Sequence, residues 1–123
     1  MMDLVIDVDN QPGALAAVAA AVSDAGVNMA ACTCVGGGEH AEVHILVPHA
    51  EAAKHALATS HIGISREREV VVVEVHDRPG ELADLTRTIA EAGVDLDLVY
   101  VATANRVVFG SADIDALKRV VAS

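Results

Sequence analysis

The chain has 123 residues, 53% of them hydrophobic, with a formal net charge of −10, one Tyr, one Phe and no Trp; its mean hydropathy is +0.42. That length fits one ordinary domain or two very small ones with ample aliphatic core material, while 8 Lys and Arg against 18 Asp and Glu repel a phosphate backbone, so nucleic acid is not an expected partner. No apolar run approaches the roughly 20 residues that cross a bilayer, and the opening "MMDLVIDVD" is acidic where a secretory leader is basic, so a cytoplasmic protein with no membrane partner is expected.

Leu4 to Val8 reads as a short strand. "DNQPGAL", Asp9 to Leu15, follows as a turn, because Pro fixes φ, Gly tolerates conformations that other residues avoid and Asn bonds its own backbone. Pro12 suits the first turn of a helix in which Leu15, Val18 and Val22 recur at helical spacing. Gly26 is a candidate left-handed terminator. Asn28 to Val35 reads as a strand, "GGGEH" from Gly36 to His40 as a hairpin loop and Glu42 to Val47 as the return strand. Pro48 opens a second helix, "HAEAAKHALAT"; Ile62 to Ser65 is a plausible fourth strand, and "REREV" reads as a solvated, charged linker.

The same order then returns. Val70 to Val75 is an apolar strand, "HDRPGEL" a turn, and Leu82, Leu85 and Ile89 the stripe of a helix that stops at Gly93. Asp97 to Ala102 and Arg106 to Phe109 make a tighter hairpin around "TAN", before a helix from about Ala112 to Val121. Pro12 matches Pro79, Gly13 matches Gly80, Leu15 matches Leu82 and Ala25–Val27 matches Ala92–Val94, all at one offset of 67 (79 minus 12, 92 minus 25). A constant offset across strand, turn and helix signals duplication of a structural unit. The expected fold is α+β: two tandem ferredoxin-like βαββαβ units, residues 1–67 and 68–123. They are expected to form one continuous antiparallel sheet with the helices on one face, the second unit lacking its last strand.

"NQPGAL" with "GVN" and "DRPGEL" with "GVD" give the chain a resemblance to the ACT domain family that covers nearly its whole length. ACT domains bind small ligands, most often amino acids, and report occupancy to an attached enzyme or regulator. They commonly pair through edge strands and first helices. The resemblance implies a free-standing regulatory or sensing protein that is not itself an enzyme, takes an amino acid or similar metabolite at the seam of its two units, needs no cofactor and has a metabolic enzyme or regulator as a possible partner. The alternative is a structural subunit that has lost ligand binding and holds an enzyme.

The expected ligand contacts are Asn10, Gln11, Pro12, Gly13, Ala14 and Leu15 at the first turn, Asp77, Arg78, Pro79, Gly80, Glu81 and Leu82 at the second, and Asn28, Met29, Asp95 and Leu96 after the helices. Gly13 and Gly80 lack a Cβ that would bar a ligand from the backbone, and uncapped N–H groups at a helix start favour a carboxylate. Asn10 or Asp77 can accept from an ammonium group. About a pseudo-two-fold axis Asn10 would face Asp95, and Asp77 would face Asn28, leaving one negative charge per site. Gln11 and Ala14 flank one turn where Arg78 and Glu81 flank the other, so equal affinities are not expected.

The remaining chemistry is sparse. His40 and His44 share a strand face but stand about 13 Å apart at strand rise, His49 and His55 sit on the second helix, and no metal site is expected. Cys32 and Cys34, joined by a histidine of the return strand, make a soft-metal site conceivable, but core or half-buried thiols are the stronger expectation. No catalytic triad, phosphate loop or nucleotide fingerprint appears. Four consecutive valines, Val70 to Val73, on an edge without its expected neighbour predict a homodimer or higher assembly, unless residues near Ser65 to Glu69 extend the strand.

Overall fold

The structure, a computed structural model, describes residues 1–122. These residues are α+β, with two antiparallel sheets and four helices among them, and the chain divides into two compact units, Met1–Arg68 and Glu69–Ser123.

In the first unit β1 (Met2–Asp9), α1 (Ala14–Asp24), β2 (Ala31–Gly37), β3 (His40–Val47), α2 (Ala50–Thr59) and β4 (Arg66–Glu69) form a sheet of order β2-β3-β1-β4. Strand alternation explains the core. Leu4 and Ile6 of β1 and Val43, Ile45 and Val47 of β3 meet Val18 and Val22 of α1 and Ala53 and Leu57 of α2, so both helices cover one face of this sheet. Leu15, the first residue of the expected α1 stripe, is 40% exposed instead.

The second unit repeats the path with β5 (Val71–Glu74), α3 (Glu81–Glu91), β6 (Leu98–Ala102), β7 (Arg106–Gly110) and α4 (Ile114–Val121). Its sheet has the order β5-β7-β6 among the described residues, and Ile89, Val107, Phe109 and Leu117 form its core. Both first helices end alike. Gly26 (φ +74°) and Gly93 (φ +77°) are left-handed, and their N–H groups donate to Ser23 and Ala90 while Val27 and Val94 donate to Val22 and Ile89. These paired bonds satisfy the last carbonyls of each helix as a Schellman motif.

Four expectations are corrected. The strands form two sheets and not one continuous sheet. Tight hairpins fix β2 on β3 and β6 on β7, whereas nothing local dictates a pairing of β2 with β6. "REREV" is not a solvated linker: Arg66–Glu69 is β4, and Ile62 and Ile64 pack half-buried on the first core ahead of it. Ser65 starts this strand by donating its N–H to the Val5 carbonyl at 2.8 Å. Charged residues suit an outer strand because they deter further pairing; here Arg66 reaches Glu42 and Glu67 reaches Lys54. The first hairpin loop is shorter than expected, since β2 runs through Gly36 and Gly37, opposite Ala41 and His40, and leaves only Gly38 and Glu39 at the tip. Finally, β2 begins at Ala31, so Asn28 and Met29 lie in the connection before it.

Candidate functional site

The two Pro-Gly segments have one geometry. Ala14 N–H donates to the Gln11 carbonyl at 3.3 Å and Glu81 N–H to the Arg78 carbonyl at 3.4 Å. Gly13 has φ 89°, ψ −12° and Gly80 has φ 89°, ψ −14°. A four-residue turn with Pro second and a left-handed Gly third is a type II turn. The helices therefore begin after the prolines, at Ala14 and Glu81, and not at Pro12 and Pro79. Glycine is required here by its positive φ, since a Cβ at either position would meet nothing within 4 Å. Neither helix start has a side-chain cap, which leaves the first-turn amides of Leu15 and Ala16, and of Leu82 and Ala83, directed at the surface.

At the first turn, Asn10 is tied to the β2–β3 hairpin. Its backbone N–H donates to the Glu39 carbonyl at 2.8 Å and its Nδ2 to the Gly38 carbonyl at 3.0 Å. A Cβ on Gly36 would come within 3.2 Å of Asn10 Oδ1, so Gly36 makes room for the tether. Gln11, Pro12, Gly13 and Leu15 are exposed and Ala14 is half-buried. Beside the turn lies an open cleft of about 330 Å³ lined by Asp7, Asp9, Gln11, Ala14, Val18 and Ile62. No acidic residue stands in the first turn of α1.

The second turn is charged. Glu81 accepts the His76 backbone N–H at 3.2 Å and the Arg78 Nε–H at 3.1 Å. The His76 bond, assisted by the Arg78 guanidinium and opposed by desolvation, holds its carboxyl below the ordinary glutamate range. Asp84 adds a second acid to the first turn of α3. A cleft of about 180 Å³ runs from Asp77, Arg78 and Glu81 to Val101, Asn105 and Arg106, with Leu82 at its wall; Pro79 and Gly80 are exposed.

The residues after the helices do not join the turns of their own units. An eleven-residue helix rises about 16 Å, which separates Asn28 and Met29 from Asn10–Leu15, and Asp95 and Leu96 from Asp77–Leu82. Asn28 and Asp95 are exposed, while Met29 and Leu96 pack on the two cores.

Side chains that the sequence did not single out include Gly36 and a polar chain on β1, β3 and β4. Asp3, fully buried, lies 2.9 Å through Oδ2 from His44 Nδ1; His44 Nε2 lies 2.7 Å from Glu42 Oε1, which also accepts Arg66 Nη2 at 2.9 Å. The cysteines are free and exposed, not core thiols. Thr33 is the residue opposite His44, and Cys32 and Cys34 lie opposite Ile45 and Val43. The thiols therefore project to the helix face and His44 to the other, so the conceivable Cys-Cys-His site does not form. Among the described residues no three His, Cys, Asp or Glu side chains are grouped to hold a metal, and no helix is long and apolar enough to cross a membrane.

Residues 70–119 match the model of the ACT domain family. No curated protein sequence matches the chain. Among solved structures, a protein from Bacteroides thetaiotaomicron is similar with a TM-score of 0.86 at 23% identity, over 97% of this chain and 84% of that one. The regulatory subunit of aspartate kinase from Thermus thermophilus gives 0.71 at 20% identity, over 98% and 89%, and that from Thermus flavus 0.62 at 20%, also over 98% and 89%. At these identities the likeness is one of fold.

Proposed function

We propose, from the match of residues 70–119 to the ACT domain family model, that the protein is a regulatory module that binds a small zwitterionic metabolite, an amino acid or a near relative, at the type II turn of its first unit. The carrying observation is the contrast at equivalent positions. Ala14 stands where the second turn has Glu81, and α1 has no acid in its first turn where α3 has two. The positive end of the α1 dipole and the amides of Leu15 and Ala16 suit an incoming carboxylate. Asp7 and Asp9 border the same cleft; the alternation that turns Val8 to the core turns their carboxylates to the other sheet face, and their negative charge still favours an incoming ammonium group. At the second turn Glu81 and Asp84 repel such a carboxylate, so the two turns are unequal. Asn10, whose Nδ2 serves the hairpin and whose Oδ1 lies beside Gly36, holds the turn in place beside this cleft. Similar structures include regulatory subunits of aspartate kinase, which supports a role in which a partner enzyme reads the bound state.

Thermal shift with each of the twenty amino acids tests this reading. Selective stabilisation is expected, about 2.7 kcal/mol when the ligand stands at a hundred times its Kd. Ala14→Glu should abolish it, whereas Glu81→Ala should leave it. Binding that survives Ala14→Glu would place the site elsewhere. Stabilisation by no amino acid would favour the structural subunit that holds an enzyme without a ligand of its own.

A further inference from the structure

Cys32 and Cys34 are both free and exposed on β2, an edge strand of its sheet. Their register partners Ile45 and Val43 place them on one face, about 6.7 Å apart along the strand, twice the strand rise. That separation rules out an unstrained disulfide between them, which needs Cβ atoms about 3.8 Å apart. It suits a bridge through a third atom. Thiolate–metal bonds are about 2.3 Å long, so a linear sulfur–metal–sulfur unit spans about 4.6 Å, reached when each thiol leans about 1 Å toward the other.

The surroundings choose among ions. The cross-strand partners are aliphatic, the nearby histidine of β3 projects to the opposite face, and no third His, Cys, Asp or Glu joins the pair among the described residues. Tetrahedral zinc wants four ligands, whereas soft monovalent ions accept two thiolates. We propose that Cys32 and Cys34 form a two-coordinate site for a monovalent soft d10 cation, cuprous or silver. On binding, each sulfur gives an electron pair to the ion and its proton to solvent. Two protons leave, no electron is transferred, and the complex carries one negative charge. The chain supplies its own control: at the offset of 67, Val99 and Val101 hold the equivalent places on β6, so valines are compatible with this strand.

The reduced full chain is titrated with silver nitrate in chloride-free buffer, followed by native mass spectrometry, thiol counting and pH-stat. One silver per chain, loss of both reactive thiols together and release of two protons are expected. Cys34→Val should weaken binding roughly 100-fold through loss of the second donor, and Cys32→Val/Cys34→Val should abolish it with the circular dichroism unchanged. If the valine pair fails to fold, Cys32→Ser/Cys34→Ser carries the same expectation. Two silvers per chain, one silver shared by two chains, or silver retained by either double variant, an adventitious ion only, would each overturn the proposal.

Discussion

Asp3 Oδ2 lies 2.9 Å from His44 Nδ1 on the neighbouring strand, with the carboxylate fully buried. A buried charge keeps its place through its partners, so losing one side of such a pair is costly. Asp3→Ala should destabilise the protein by about 3 kcal/mol and Asp3→Asn by about 1–2 kcal/mol. Urea unfolding checks both. A lower midpoint at unchanged slope is expected, and an unchanged midpoint for Asp3→Ala would remove the pair from the stability of this unit.

Gly13 and Gly80 sit at φ 89° in open space, so substitution acts on the backbone rather than on crowding. A residue with a Cβ pays about 1–2 kcal/mol in the left-handed region, and Asn pays less. Gly13→Val and Gly80→Val should therefore lower thermal stability with or without a ligand, and Gly13→Asn should lower it less. Differential scanning calorimetry distinguishes the series; equal losses for Val and Asn would refute the turn assignment.

The Glu81 carboxyl is held below its ordinary range, first by the His76 N–H and then by Arg78. Its folded pKa is depressed, so its contribution is fully present above the unfolded value and is lost as pH falls through the folded one. Glu81→Gln should be less stable than the parent at neutral pH, with the gap closing only below the usual glutamate range. Unfolding midpoints across the acid limb give the test, and a gap that is constant with pH would exclude this titration.

Among the described residues β5 has no neighbour along one side in its sheet, whose order is β5-β7-β6. Val71 to Val73 are half-buried there, and open valine-rich edges recruit strands. The protein should sediment as a homodimer at micromolar concentration, and Val72→Pro should shift it to monomer while its circular dichroism is kept. A monomeric parent would end this prediction.

What the sequence made legible was local. Pro12-Gly13 and Pro79-Gly80 carry the chemistry of a type II turn within four residues, and Gly26 and Gly93 mark helix ends that only a left-handed residue completes. Arg66–Glu69 escaped because a charged outer strand has no apolar alternation to betray it. The pairing of Asp3 with His44 joins residues 41 apart, and no periodicity encodes such a contact. Arg78 and Glu81 were visible as unlike flanks. The acceptance of the His76 N–H by Glu81, which gives the second turn its fixed negative charge, depended on where the chain folds and not on spacing.

Gly13 and Gly80 match to within two degrees in ψ and share φ, so the two turns have one backbone geometry under different side chains. Exchanging "DNQPGA" and "HDRPGE" between the units should therefore keep the type II turn in both. Such a graft would exchange the charge of the two turns, Arg78 and Glu81 against Gln11 and Ala14, six residues at a time.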